Sequence, residues 1–130
     1  MAMTLAAVKA EVENWYKPLL GKVIDADGEY PGQCVDLIHR FGIDLHGHGP
    51  TWGNGDALAD NLIKNRGYAR VSVSSTWQVG DVVSKWTGWY GGHVFIVLED
   101  LGASVRYLDQ NGPGSADEAN GPITIRTAKK

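Results

Sequence analysis

Asn61-Leu62-Ile63-Lys64-Asn65-Arg66-Gly67-Tyr68-Ala69-Arg70-Val71-Ser72-Val73 holds the point at which the chain changes its period. Upstream of Gly67, apolar residues return every three or four positions, the repeat of one helix face; downstream they alternate or run together, as in strands. Working toward the N-terminus, Asp56 to Asn65 reads as a short third helix with Asp56 as its cap. A second helix is predicted to start near Cys34, because Val35, Leu37, Ile38, Phe41 and Leu45 make a stripe before the glycine-rich Gly47 to Gly55. Gly42 weakens its last turn. Leu5, Val8, Val12, Trp15 and Leu19 mark the first helix, with Thr4 as N-cap and Pro18 with Gly21 at its end. Toward the C-terminus, candidate strands are Tyr68 to Val73, Asp81 to Trp86, His93 to Glu99, Ser104 to Leu108 and Ile123 to Thr127. Helices first and strands afterwards predict an α+β domain with an antiparallel sheet, not the alternating order of a parallel fold.

At 130 residues the chain is expected to form a single domain over residues 1–130. Its 43% hydrophobic and 21% charged residues are ordinary for a folded soluble protein, and no apolar run approaches the ~20 residues of a membrane span. A net charge of -3 without any Lys/Arg stripe argues against nucleic acid as a partner. One cysteine excludes an intramolecular disulfide framework, so Cys34 is either structural or reactive. Met1-Ala2-Met3-Thr4 has neither the basic segment nor the apolar core of a secretory signal. No membrane span and a monomer are expected.

A nucleophilic thiol needs a base, a group that orients the base, and donors for the developing oxyanion. Cys34 at the start of a helix would lie beside unpaired backbone N–H groups and the positive dipole end, both of which favour the thiolate. His93 follows Trp89-Tyr90-Gly91-Gly92 and opens the apolar strand Val94 to Leu98, so it can face a cleft while the strand holds it. Asp109-Gln110-Asn111 places a carboxylate and an amide at the end of the next strand. Taken alone, a cysteine is more often a small buried hydrophobe than a catalyst.

Just before the cysteine, Asp25, Asp27, Glu29 and Asp36 fall at positions one, three, five and twelve of a loop, with the Pro31 carbonyl at seven, the oxygen-ligand spacing of an EF-hand-like calcium site. Tyr30 at position six and Asp at twelve depart from a true EF-hand. The plainer alternative is a solvated acidic turn capping the second helix. His46-Gly47-His48 lacks a third metal ligand and reads as a polar loop, and His39 as a surface or satisfied core histidine. Trp52, Trp86, Trp89 and Tyr90 lie in glycine-rich stretches and are candidates to wall a substrate groove, with core packing the equal alternative for Trp86.

Asp25-Ala26-Asp27-Gly28-Glu29-Tyr30-Pro31-Gly32-Gln33-Cys34-Val35-Asp36-Leu37, then Gly80-Asp81-Val82-Val83, Gly92-His93-Val94 and Asp109-Gln110-Asn111, together resemble the CHAP family, the cysteine- and histidine-dependent amidohydrolases and peptidases common in bacteriophage lysins. The resemblance runs in order from about Val23 to Asn111. It implies a papain-like α+β fold in which Cys34 attacks an amide carbonyl and His93 is its base and later acid. Asp109 matches a position where many relatives carry Glu, and Asn111 a polar position two further on; which of them orients His93 is open. Gln33 would sit near the oxyanion. A similar acidic loop in calcium-binding relatives implies a structural calcium held by Asp25, Asp27, Glu29, Pro31 and Asp36.

The function so implied is cleavage of an amide bond of bacterial peptidoglycan, as an endopeptidase or an N-acetylmuramoyl-L-alanine amidase. A phage enzyme without a signal peptide would be made in the host cytoplasm and reach the wall after release or with the virion. One alternative is a noncatalytic wall-binding or structural module of a phage tail, against which the intact Cys34, His93 and Asp109 weigh. Another is a cytoplasmic cysteine hydrolase acting on a small amide.

Overall fold

The computed structural model describes residues 4–24, 34–85, 92–110 and 121–130. Three helices precede four strands: α1 (Leu5–Tyr16), α2 (Cys34–Phe41), α3 (Leu58–Arg66), β1 (Val82–Lys85), β2 (His93–Asp100), β3 (Ser104–Gln110) and β4 (Ile123–Lys129). The strands form one antiparallel sheet in the order β1-β2-β3-β4, so every pairing joins neighbours in sequence. This is the predicted α+β arrangement, with α2 packed on β2 and β3 and α3 against β1.

Thr4 caps α1, its hydroxyl oxygen accepting from the Ala7 N–H at 3.1 Å. Val12 and Tyr16 are buried, and a 3-10 turn at Lys17–Leu19 ends the segment where Pro18 removes a donor. In α2, Val35, Leu37, Ile38 and Phe41 are buried. Past Phe41 the backbone widens into a π-helical turn at Gly42–His46. A Cβ on Gly42 would crowd the His48 ring, both of whose nitrogens lie within about 3 Å of that position, so the ring would have to shift.

The helices cover one face of the sheet, where Leu37, Phe41, Leu58, Leu62, Val94, Ile96, Leu98, Leu108 and Ile123 share a core. On the other face Phe95, Val97, Val105 and Tyr107 form a second cluster under Trp77 and Val83. Phe95 and Tyr107 pack together with ring centroids 4.3 Å apart and planes tilted by 37°. Strand β2 is therefore buried on both faces, which is why Val94 to Leu98 is continuously apolar instead of alternating. Among the described residues no helix is long and apolar enough to cross a membrane.

Two local expectations are corrected. Tyr68 to Val73 is not a strand: β1 pairs with β2, and Val71 and Val73 stand 47% and 81% exposed. Their alternation has no partner strand to satisfy it, and β-propensity is realised only against neighbours. Arg70 instead reaches Asp60 at 2.8 Å. Nor is Asp56 the cap of α3, which starts at Leu58 with Ala57 as N-cap and no capping side chain from that residue. Its first donors go elsewhere: Ala57 N and Leu58 N to the Asn54 carbonyl oxygen, and Ala59 N to the Ser84 hydroxyl of β1 at 2.8 Å.

Candidate active site

Three elements meet at one end of the sheet. Cys34 is the first residue of α2 and half-buried, His93 the first of β2 and buried, and Asp109 the last but one of β3 and fully buried. His93 Nε2 and Asp109 Oδ2 are 2.9 Å apart. The other oxygen, Oδ1, accepts from Thr124 Oγ1 at 3.1 Å and from Arg126 Nε at 3.2 Å, both on β4. Thr124 is the register partner of Asp109 and Arg126 that of Tyr107, so the sheet itself sets these contacts. A carboxylate held by an imidazole, a hydroxyl and a guanidinium is compensated for its burial and locked in orientation.

Cys34 lies close enough to act on His93 through both a hydrogen bond and charge. Burial is the largest single influence on His93 and lowers its pKa, but the hydrogen bonds to Asp109 and Cys34 and their charges together outweigh it, lifting the imidazole to about 9. Nε2 is the ring nitrogen committed to Asp109. An imidazole with this pKa is charged at neutral pH, the state of a histidine that has taken a proton and kept it.

The loop ahead of α3 fixes the base from behind. A Cβ on Gly55 would fall 2.7 Å from His93 Cα and 2.8 Å from its N, so only glycine lets the two backbones touch. Gly92, at φ +76°, would likewise drive a Cβ into the Lys85 carbonyl oxygen and Asp56. His93 is thus held between a strand partner, a loop and a carboxylate.

Residues 25–111 match the model of the CHAP domain. The chain belongs to the CHAP family. The crystal structure of the wild-type endolysin LysIME-EF1 is similar to this CHAP chain with a TM-score of 0.73 and 29% identity, over 98% of this chain and 60% of that protein. The chain therefore spans about 60% of that endolysin's length. No curated protein matches.

Of the residues expected at the site, the structure brings Cys34, His93 and Asp109 together. Gln33 and Asn111, and Asp25, Asp27, Glu29 and Pro31 of the acidic loop, lie outside the described residues. Asp36 is fully buried in the first turn of α2, where a carboxylate suits the helix dipole, and it is engaged with a partner. Among the described residues no group of three His, Cys, Asp or Glu side chains could hold a metal. In the His46-Gly47-His48 segment, His48 Nδ1 donates to the Gly49 carbonyl at 2.9 Å, which leaves Nε2 to accept from Tyr68 Oη at 2.7 Å. Burial raises the Tyr68 phenol to about 12, so it keeps that proton.

Reading the sequence missed three contributors. Thr124 and Arg126 share a face of β4 by the two-residue period, but only the register shows that this face meets Asp109. Gln110, fully buried, accepts from Ile24 N at 2.7 Å through Oε1 and donates from Nε2 to Ile24 O at 3.1 Å. Successive strand residues point to opposite faces. Asp109 can therefore serve the histidine while its neighbour grips the backbone just ahead of the acidic loop.

Proposed function

We propose that this CHAP chain hydrolyses an amide bond of bacterial peptidoglycan through a cysteine–histidine mechanism. The observation that carries this is the buried 2.9 Å contact of His93 with Asp109, on an imidazole that also feels Cys34. LysIME-EF1, to which the chain is similar, is an endolysin. In the proposed reaction His93 enters already holding the proton taken from Cys34, and the sulfur attacks the amide carbonyl carbon. Backbone N–H groups at the start of α2, with Gln33 beside them, stabilise the oxyanion. As the tetrahedral intermediate collapses, the C–N bond breaks and the leaving nitrogen takes the proton from His93. Water then gives a proton to His93 and attacks the thioester, which releases a carboxylate and restores the thiol. Asp109 orients the ring throughout and, with Arg126 and Thr124 behind it, keeps Nε2 occupied.

We also propose a structural calcium bound by Asp25, Asp27, Glu29, the Pro31 carbonyl and Asp36. The donor set is all oxygen, as calcium prefers. Asp36 and the Gln110 grip on Ile24 give the loop a fixed carboxylate at one end and a fixed backbone at the other. The ion would neutralise the carboxylates around Cys34 and hold the loop that leads to it.

A noncatalytic wall-binding module has less support, since it has no use for a buried His–Asp pair beside a thiol. The deciding experiment is incubation of purified walls with the protein and with Cys34→Ala. New amino termini should appear with the wild type alone, and mass spectrometry of the fragments locates the bond. Equal release by both proteins would reject Cys34 as nucleophile.

A further inference from the structure

The segment from Gly49 to Gly55, which leads into α3, is built as a rigid shelf. Thr51 is buried, and Arg66 at the end of α3 donates from Nε to Thr51 Oγ1 and from Nη2 to the Pro50 carbonyl oxygen, both at 3.0 Å. Asn61 donates from Nδ2 to the Trp52 carbonyl oxygen at 2.7 Å. Gly55 closes the shelf against the His93 backbone. Yet the Trp52 side chain is 67% exposed, and among the described residues it is the one large aromatic standing so far into solvent.

Tryptophan is on average well buried. Fixing its backbone while leaving the indole in water contributes little to folding. It does prepare a flat apolar face that loses little freedom when something binds. We propose that Trp52 is a substrate-binding residue whose indole stacks on a sugar ring of the glycan strand, and so sets the attached peptide amide at Cys34. This deepens, and rests on, the peptidoglycan-hydrolase reading.

Two features favour a sugar over the peptide as occupant. Gly53 and Asn54, the exposed residues that follow Trp52 in the chain, are uncharged; a sugar offers C–H groups to the negative face of an aromatic ring and hydroxyls to an amide. The charged side chains Asp56, Asp60, Arg66, Arg70 and Asp81 instead wall a cavity of about 640 Å³ along α3 and β1, which borders the shelf through Arg66 but whose lining does not include Trp52. Reach is also suitable. Two residues separate Trp52 from Gly55, a span of at most about 11 Å between their Cα atoms, and Gly55 lies against the His93 backbone, so indole and imidazole can address one saccharide–peptide junction.

The test compares glycan-bearing walls with a sugar-free substrate carrying the same scissile bond: a lactoyl-peptide where the lactoyl–alanine amide is cut, or a cross-linked stem peptide where a peptide bond is cut. Trp52→Ala should raise KM on the walls about tenfold, as loss of an aromatic contact residue commonly does, with a much smaller change in kcat. Its effect on the peptide should be at least fivefold smaller, and Trp52→Phe should recover most of the loss. Equal effects of Trp52→Ala on both substrates would overturn the assignment. A second arm titrates the full chain bearing Cys34→Ala with peptide-free N-acetylglucosamine–N-acetylmuramic acid oligomers and follows tryptophan fluorescence. A saturable change that disappears when Trp52→Phe is added supports the platform, and no such change refutes it. Failure of the wild type to cleave walls at all would reject the hydrolase reading, while this binding arm still decides the fate of Trp52.

Discussion

Asp109 makes its contacts from a fully buried position, so its two simplest replacements should separate orientation from charge. Asp109→Asn keeps the shape but can present an N–H to Nε2, and should lower kcat on a peptide substrate by roughly 10²–10⁴, the range associated with a positioned acid–base group. Asp109→Ala should also destabilise the protein, because Arg126 and Thr124 lose their acceptor. A kcat within about threefold of wild type for Asp109→Asn would move the orienting role elsewhere, with Asn111 the next residue to replace. The raised pKa of His93 gives a pH prediction of definite sign. Since the folded value of about 9 lies above the ordinary 6.5, the stability this group contributes is fully present below about 6.5 and is lost as pH rises through 9. Activity needs the same proton for the leaving amine, so kcat/KM should fall on the basic side with a midpoint near 9. In Asp109→Asn, which removes one of the groups raising the pKa, that midpoint should move down; an unmoved limb would mean that another group controls it.

At the scale of single elements, how well the sequence could be read follows how local each determinant is. Thr4 as a cap, the start of α2 at Cys34 and the burial of Val94 to Leu98 are set within a few residues, and all three are present in the structure. The strand expected at Tyr68 to Val73 failed because pairing depends on a distant partner, and β1 turns to β2 instead. Asp109 was legible as a carboxylate at a strand end, whereas Arg126 behind it required knowing the β3–β4 register. The Gly55 contact was equally hidden, since a glycine in a glycine-rich loop gives no sign of which backbone runs against it. Gly55→Ala should therefore destabilise by about 1–3 kcal/mol, the usual cost of forcing extra volume into a packed site, and should lower activity by displacing His93. Gly49→Ala is the matched control: nothing lies within 4 Å of its Cβ position, and stability should stay within about 0.5 kcal/mol of wild type. Denaturant melts of the two variants decide the matter, and equal midpoints would show that the loop yields to the added methyl.

For the whole molecule, the acidic sequence lies between two fixed points of the fold. It leaves Ile24, which β3 grips through Gln110, and ends at Cys34 and Asp36 on α2, itself packed on β2 and β3. Four carboxylates within twelve positions repel one another in a chain whose net charge is already -3, and a bound divalent cation would relieve that repulsion while tying α2 to the sheet. A ligand that binds only the folded form stabilises it by about 2.7 kcal/mol at a hundred times its Kd. For a domain of this size that corresponds to a rise in Tm on the order of 10 °C. Chelation should therefore lower Tm and wall hydrolysis together, and calcium should restore both better than magnesium, which demands a tighter octahedral site. Asp27→Ala should behave as the chelated protein does, with no further response to calcium. Gln110→Ala should lower Tm in calcium and in chelator alike, since it removes two buried hydrogen bonds whatever the loop holds, and should also weaken calcium binding by freeing the backbone at Ile24. Thermal melts of these proteins across a calcium titration check each statement, and a wild-type Tm that does not move between chelator and saturating calcium would remove the ion from the site.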